Sequence, residues 1–85
     1  MRVFSVYDKV LGEYMTPFFA KNVGLALRSF QDLVRDSRSV VAQHPADFVL
    51  YQIGTFDGSS GALAPCEPQH VANATDFIPP EVKNA

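Results

Sequence analysis

Residues 1–43 set the cations Arg2, Lys9, Lys21, Arg28, Arg35 and Arg38 among the rings of Tyr7, Tyr14, Phe18 and Phe19. Rings on which bases stack, with cations near enough to follow phosphates, can hold a single nucleic acid strand without any sequence motif or high overall charge. Within this set Lys21, Arg28, Arg35 and Arg38 are the candidates for phosphate contact, and Phe19 or Tyr7 for the stacking ring. The same residues also fit a plainer arrangement, with the rings in a core and the cations on a solvated helix face.

Other chemistries have less to work with. His44, just before Pro45, and His70 are the only histidines, and neither stands in a nucleophile or general-base motif. His44 reads as a turn residue and His70 as part of the tail. Cys66 and His70 are four apart, yet a zinc site needs three or four ligands and there is no second pair. No glycine-rich phosphate loop is present. The expectation is a protein that is not an enzyme and takes neither metal nor cofactor.

The totals narrow the class. At 85 residues the chain forms one domain with a small core, so oligomerisation is an expected source of added stability. It is 47% hydrophobic and 12% aromatic, too apolar for disorder. The net charge is −2, which rules out a polycation, but the distribution is uneven. Residues 1–43 carry the six cations above against Asp8, Glu13, Asp32 and Asp36, whereas residues 44–85 carry Lys83 against Asp47, Asp57, Glu67, Asp76 and Glu81. A lone cysteine favours a reducing, cytoplasmic setting. No apolar run is long enough for a bilayer, and "MRVFSVYDK" lacks the apolar centre of a signal peptide, so no membrane association is expected.

The elements that must position these residues follow from periodicity. "RVFSVYD" alternates as a strand, with Phe4 and Val6 on one face and Val3, Ser5 and Tyr7 on the other. Gly12 closes a short loop, "EYMT" returns, and Pro17 is expected to end the pairing. Asn22 is a good N-cap, and Ala26, Leu27, Phe30, Leu33 and Val34 draw one apolar helical stripe that should stop near Arg35 to Ser37. "HPAD" reads as a turn, a strand follows from about Phe48 to Phe56, and a short return through "ALAP" is expected to end at Pro65. The two loops share a plan, an aromatic residue and an Asp leading to a closing Gly: Tyr7, Asp8 and Gly12, then Phe56, Asp57 and Gly61. Beyond Pro65 the chain reads as irregular, pinned by Val71 and Phe77.

The fold class implied is α+β: a single ββαββ domain over residues 1–78, an antiparallel sheet with one helix on one face, and a loose tail over 79–85. One helix cannot cover both faces of such a sheet, so Val3, Tyr7, Val49, Tyr51 and Ile53 form a surplus beside Phe4, Val6, Phe48 and Leu50. The adjacent Phe18 and Phe19 must point to opposite sides of an extended segment, one into the core and the other toward a partner. A homodimer pairing open sheet faces or edge strands through Val49, Tyr51 and Ile53 would use the same surplus.

The order of "VYDK", "GEY", "PFFAKN", "DLV", "HPADFVLY" and "IGTFD", spanning about residues 3 to 65, resembles the small non-structural protein of gokushoviruses, the single-stranded DNA microviruses of bacteria. "PFFAKN" and "HPADFVLY" are its most specific parts. The resemblance implies a phage protein of the host bacterial cytoplasm that binds single-stranded DNA during genome synthesis or packaging. The alternative is a homodimeric interaction module that regulates a viral or host replication protein without touching DNA.

Overall fold

The computed structural model describes residues 1–78, so the tail expected over 79–85 lies outside the described residues. Its sheet is antiparallel throughout and has five strands: β1 (Arg2–Asp8), β2 (Glu13–Tyr14), β3 (Phe18–Ala20), β4 (Phe48–Asp57) and β5 (Ala62–Asn73). The spatial order is β2-β1-β4-β5, and β3 pairs with β1 beyond β2, so β2 and β3 are two lengths of one edge. Helix α1 (Val23–Arg35) lies across one face, followed by a single turn of helix, α2 (Val40–Gln43), and 3-10 turns at Pro45–Asp47 and Ala74–Phe77. The α+β class and the single main helix agree with the sequence.

The core sits between α1 and the inward face of β1 and β4. Phe4, Phe30 and Leu50 are its largest wholly buried side chains, and Val6, Val34, Val41 and Phe48 pack around them. Burying each Phe or Leu contributes about 1.5–3 kcal/mol. Phe18 turns inward and stacks on Phe4 with ring centroids 5.8 Å apart.

Asn22 caps α1 as its spacing indicates, its side-chain oxygen accepting from the Leu25 N–H at 2.9 Å. The helix ends at Arg35, and Ser39 then does two jobs. Its hydroxyl donates to the Leu33 carbonyl at 2.6 Å and accepts from the Ala42 N–H at 3.0 Å, so it closes α1 and opens α2. Four helical residues are too few for a periodic signal, which is why α2 was not legible between two polar turns.

Neither of the two prolines ends its edge of the sheet, although β2 stops at Tyr14, ahead of Pro17. Past Pro17 the pairing with β1 resumes, the register shifting by one residue from Tyr7↔Tyr14 to Phe4↔Phe18. The extra residue is a bulge on an edge strand, where a missing N–H removes no ladder bond. Met15 holds the bulge, donating its N–H to the Val6 carbonyl at 2.7 Å and accepting from the buried Ser5 hydroxyl. Likewise β5 continues through Pro65 and Pro68 to Asn73, because it is the opposite edge and absorbs register shifts near Tyr51 and Gly54. The segment expected to be irregular is therefore strand and then a capped turn, with the Asp76 carboxylate accepting from the Asn73 N–H at 3.0 Å. Val71 and Phe77 do pin it, Phe77 edge-on to Phe30 at 6.1 Å.

Candidate functional site

The C-terminal turn packs on the helix side, so among the described residues both helices and both 3-10 turns leave the other sheet face uncovered. Register assigns Val3, Ser5 and Tyr7 of β1 to that face, opposite Gly54, Tyr51 and Val49 of β4. Tyr14 joins them from β2, Phe19 from β3, and His70, Pro65 and Leu63 from β5.

At one end the rings form a continuous cluster. Tyr7 lies 4.8 Å from Tyr14 and 6.2 Å from Tyr51, Tyr14 lies 5.9 Å from Tyr51, and His70 stands edge-on to Tyr51 at 6.0 Å. His70 is fixed by Asn73, whose side-chain oxygen is 3.0 Å from its Nε2. Desolvation, reinforced by the phenols of Tyr51 and Tyr7, pushes the Tyr14 pKa above its ordinary value. Tyr14 nevertheless keeps 42% of its surface open. At the other end Phe19, 48% exposed, packs edge-on against Phe56 at 5.5 Å. Between Phe19 and β5 runs an apolar groove of about 260 Å³ lined by Val3, Pro17, Ile53, Gly54, Leu63, Ala64 and Pro65.

Part of the expected surplus is already covered without the helix. Val3 and Val49 are 5% and 4% exposed, Val49 lying across from Tyr7 and Val3 forming part of the groove lining. A dimer contact built on Val49 therefore has nothing to bury. What remains open is Tyr14, Phe19 and Leu63, with Tyr7, Tyr51, Ile53 and Phe56 half-buried among them.

The six residues singled out in the sequence divide between the two sides. Tyr7 and Phe19 belong to the open face, and the exposed Lys21 follows directly on β3 at the Phe19 end. Arg28 and Arg35 lie on the outer side of α1, opposite the buried stripe of Ala26, Phe30 and Val34 and with Asp32 between them, across the sheet from the rings. Arg35 donates from Nε to the Phe77 carbonyl at 3.4 Å. Arg38 is held by Asp36 in a two-pronged ion pair at 3.1 and 3.3 Å, which keeps the Asp36 carboxyl below its ordinary pKa. The structure does not bring the helix arginines together with the rings. Tyr14, Tyr51, Phe56 and His70 complete the face; strand alternation and the register set by Gly12 were the signals for Tyr14 and Tyr51, whereas His70 lay in a segment read as tail.

His44 is exposed at the C-terminal end of α2. The Cys66 thiol lies 3.8 Å from the Gln52 carbonyl, while His70 pairs with Asn73. Among the described residues no three His, Cys, Asp or Glu side chains converge, and no helix is long and apolar enough to cross a membrane.

Compared with known proteins, the chain matches no curated protein and no solved structure. A family model does match it, over residues 1–77, which is all but the last of the described residues. The chain, with its ring-bearing sheet face, belongs to the Phage ORF5 protein family.

Proposed function

We propose that this phage protein binds single-stranded DNA without strong sequence preference, as a cytoplasmic non-structural protein of a microvirus, and that it does so by stacking bases on the open sheet face. The observation that supports this is the contiguous row of Tyr14, Tyr7, Tyr51 and His70 on a sheet surface that no described element covers. Each stacked base contributes about 1–3 kcal/mol in proteins that use this mode, and every base offers a face to stack. Phosphates are served at the rim, by the exposed Lys21 beyond Phe19 and by Lys9 in the β1–β2 loop, whose Nζ would exchange its bond to the Ala46 carbonyl, 3.2 Å away, for a phosphate oxygen. Arg28, Arg35 and Arg38 contribute little, because they face away or are paired.

A titration of a fluorescently labelled oligonucleotide over a salt series tests this reading. With one or two phosphate contacts, the slope of log affinity against log salt is about −0.7 to −1.4; four contacts through Lys21, Arg28, Arg35 and Arg38 would give about −2.8. Absence of binding at low salt would refute the proposal. A second reading, an interaction module that regulates a replication protein without DNA contact, draws on a different fact. None of the open-face strand residues named above is Lys, Arg, Asp or Glu, which suits a protein surface as well as a base.

A further inference from the structure

The row of rings takes one member from each of four neighbouring strands: Tyr14 on β2, Tyr7 on β1, Tyr51 on β4 and His70 on β5. Phenols hold their protons near neutral pH, so a phosphate passing over the three tyrosines meets hydroxyl groups and no charge. Histidine is the side chain that ordinarily changes charge between about pH 5 and 8. His70, exposed on the outermost strand, is therefore the one member of the row able to become a cation, and its surroundings fix where the proton goes.

The Asn73 side-chain oxygen accepts from the Asp76 N–H in the capping box of the C-terminal turn, and it also lies 3.0 Å from His70 Nε2. An amide oxygen has no hydrogen to donate, so Nε2 carries one and neutral His70 keeps its lone pair on Nδ1. A second proton arrives at Nδ1 and leaves the bond to Asn73 intact. Among the described residues no other hydrogen bond reaches the ring, and Tyr51 holds it edge-on with centroids 6.0 Å apart. The titratable groups around it are the Tyr51 phenol on β4 with those of Tyr7 and Tyr14 beyond, the Asp76 carboxylate bonded to the Asn73 N–H, and Glu67 on its own strand. None of these is a cation, so none repels a proton at Nδ1.

We propose that protonated His70 is the phosphate contact within the ring row: its Nδ1–H donates to a phosphate of the strand whose bases stack on the tyrosines, so DNA binding tightens as pH falls. This inference rests on the DNA reading and adds to it a binding residue and a pH dependence. Lysine keeps its charge throughout this range, so contacts through Lys21 and Lys9 contribute affinity but no pH dependence.

Affinity for oligothymidylate, whose bases take no proton in this range, is measured at about pH 5.5 and about pH 7.5 over a salt series. The unaltered chain should bind roughly threefold to tenfold tighter at the lower pH, with a slope of log affinity against log salt steeper by about 0.7. His70→Tyr, which keeps a ring in place but cannot become a cation, should lose both differences, and circular dichroism verifies its fold. His44→Gln, which removes the other histidine, should keep them. On the unaltered chain, imidazole nitrogen NMR spectra give a second reading: the bound oligonucleotide should let His70 hold its second proton to higher pH. Binding that does not change with pH, a response that survives in His70→Tyr, or a His70 titration unmoved by the oligonucleotide overturns the phosphate contact and leaves the DNA reading intact. Absence of binding at both pH values defeats the DNA reading itself and the contact with it.

Discussion

At the residue scale the adjacent phenylalanines carry the logic of the molecule. Alternation forces them apart, so Phe18 stacks on Phe4 in the core and Phe19 emerges on the open face against Phe56. That they must divide was legible in the sequence; which one turned outward depended on the bulge at Met15–Pro17, which adds a residue and so sets the facing of everything after it. Ser5 shows how tightly the bulge is held. It is wholly buried, and its hydroxyl is bonded to the Met15 carbonyl. Ser5→Ala should cost about 1–2 kcal/mol, because the carbonyl loses its partner. In thermal unfolding this corresponds to a fall in Tm of roughly 4–16 °C for a chain of this size; an unchanged Tm would mean that the bulge does not depend on this bond.

At the element scale the two hairpin loops repeat one solution, and here sequence and structure agree in detail. The Asp8 carboxylate accepts from the Val10 and Leu11 N–H groups at 2.9 and 3.3 Å, and the Asp57 carboxylate accepts from the Ser59 N–H and hydroxyl at 2.9 and 2.7 Å. Each loop closes on a glycine of positive φ, Gly12 at 69° and Gly61 at 78°. The Ser59 hydroxyl, more than any other group, holds the Asp57 carboxyl below its ordinary value of 3.8. A depressed carboxyl stabilises the fold above its ordinary pKa, and that contribution fades as pH falls through the lower folded value. The Tm difference between the unaltered chain and Asp57→Asn should therefore be fully present at neutral pH and shrink below about pH 3.8. A difference independent of pH would assign the effect to geometry alone. Strand ends were less legible than loops, because proline ends a strand only where its N–H is needed. Edge position decides that, and edge position is a property of the assembled sheet rather than of a segment.

For the whole molecule, the sequence revealed a fold with more apolar and aromatic surface than one helix could cover, and the structure places the exposed rings of that surface on one face of the sheet. It did not reveal that the cations and the rings would be separated. Arg28 and Arg35 are close to Tyr7 and Phe19 along the chain, but α1 turns them away from the sheet while strand pairing turns the rings the other way. His70 and Phe56 reached the face through a β4–β5 register whose shifts near Tyr51 and Gly54 depend on tertiary pairing. The proposed DNA contact therefore rests on rings rather than on helix charges. The most direct measurement is the affinity for a single-stranded oligonucleotide of two double variants, Tyr14→Ala with Tyr51→Ala and Arg28→Glu with Arg35→Glu, each verified as folded by circular dichroism. Loss of two stacking platforms should weaken binding by about 2–6 kcal/mol, at least thirtyfold, while the arginine variant should bind within about threefold of the unaltered chain. Loss of binding in the arginine variant with retention in the tyrosine variant would contradict the account.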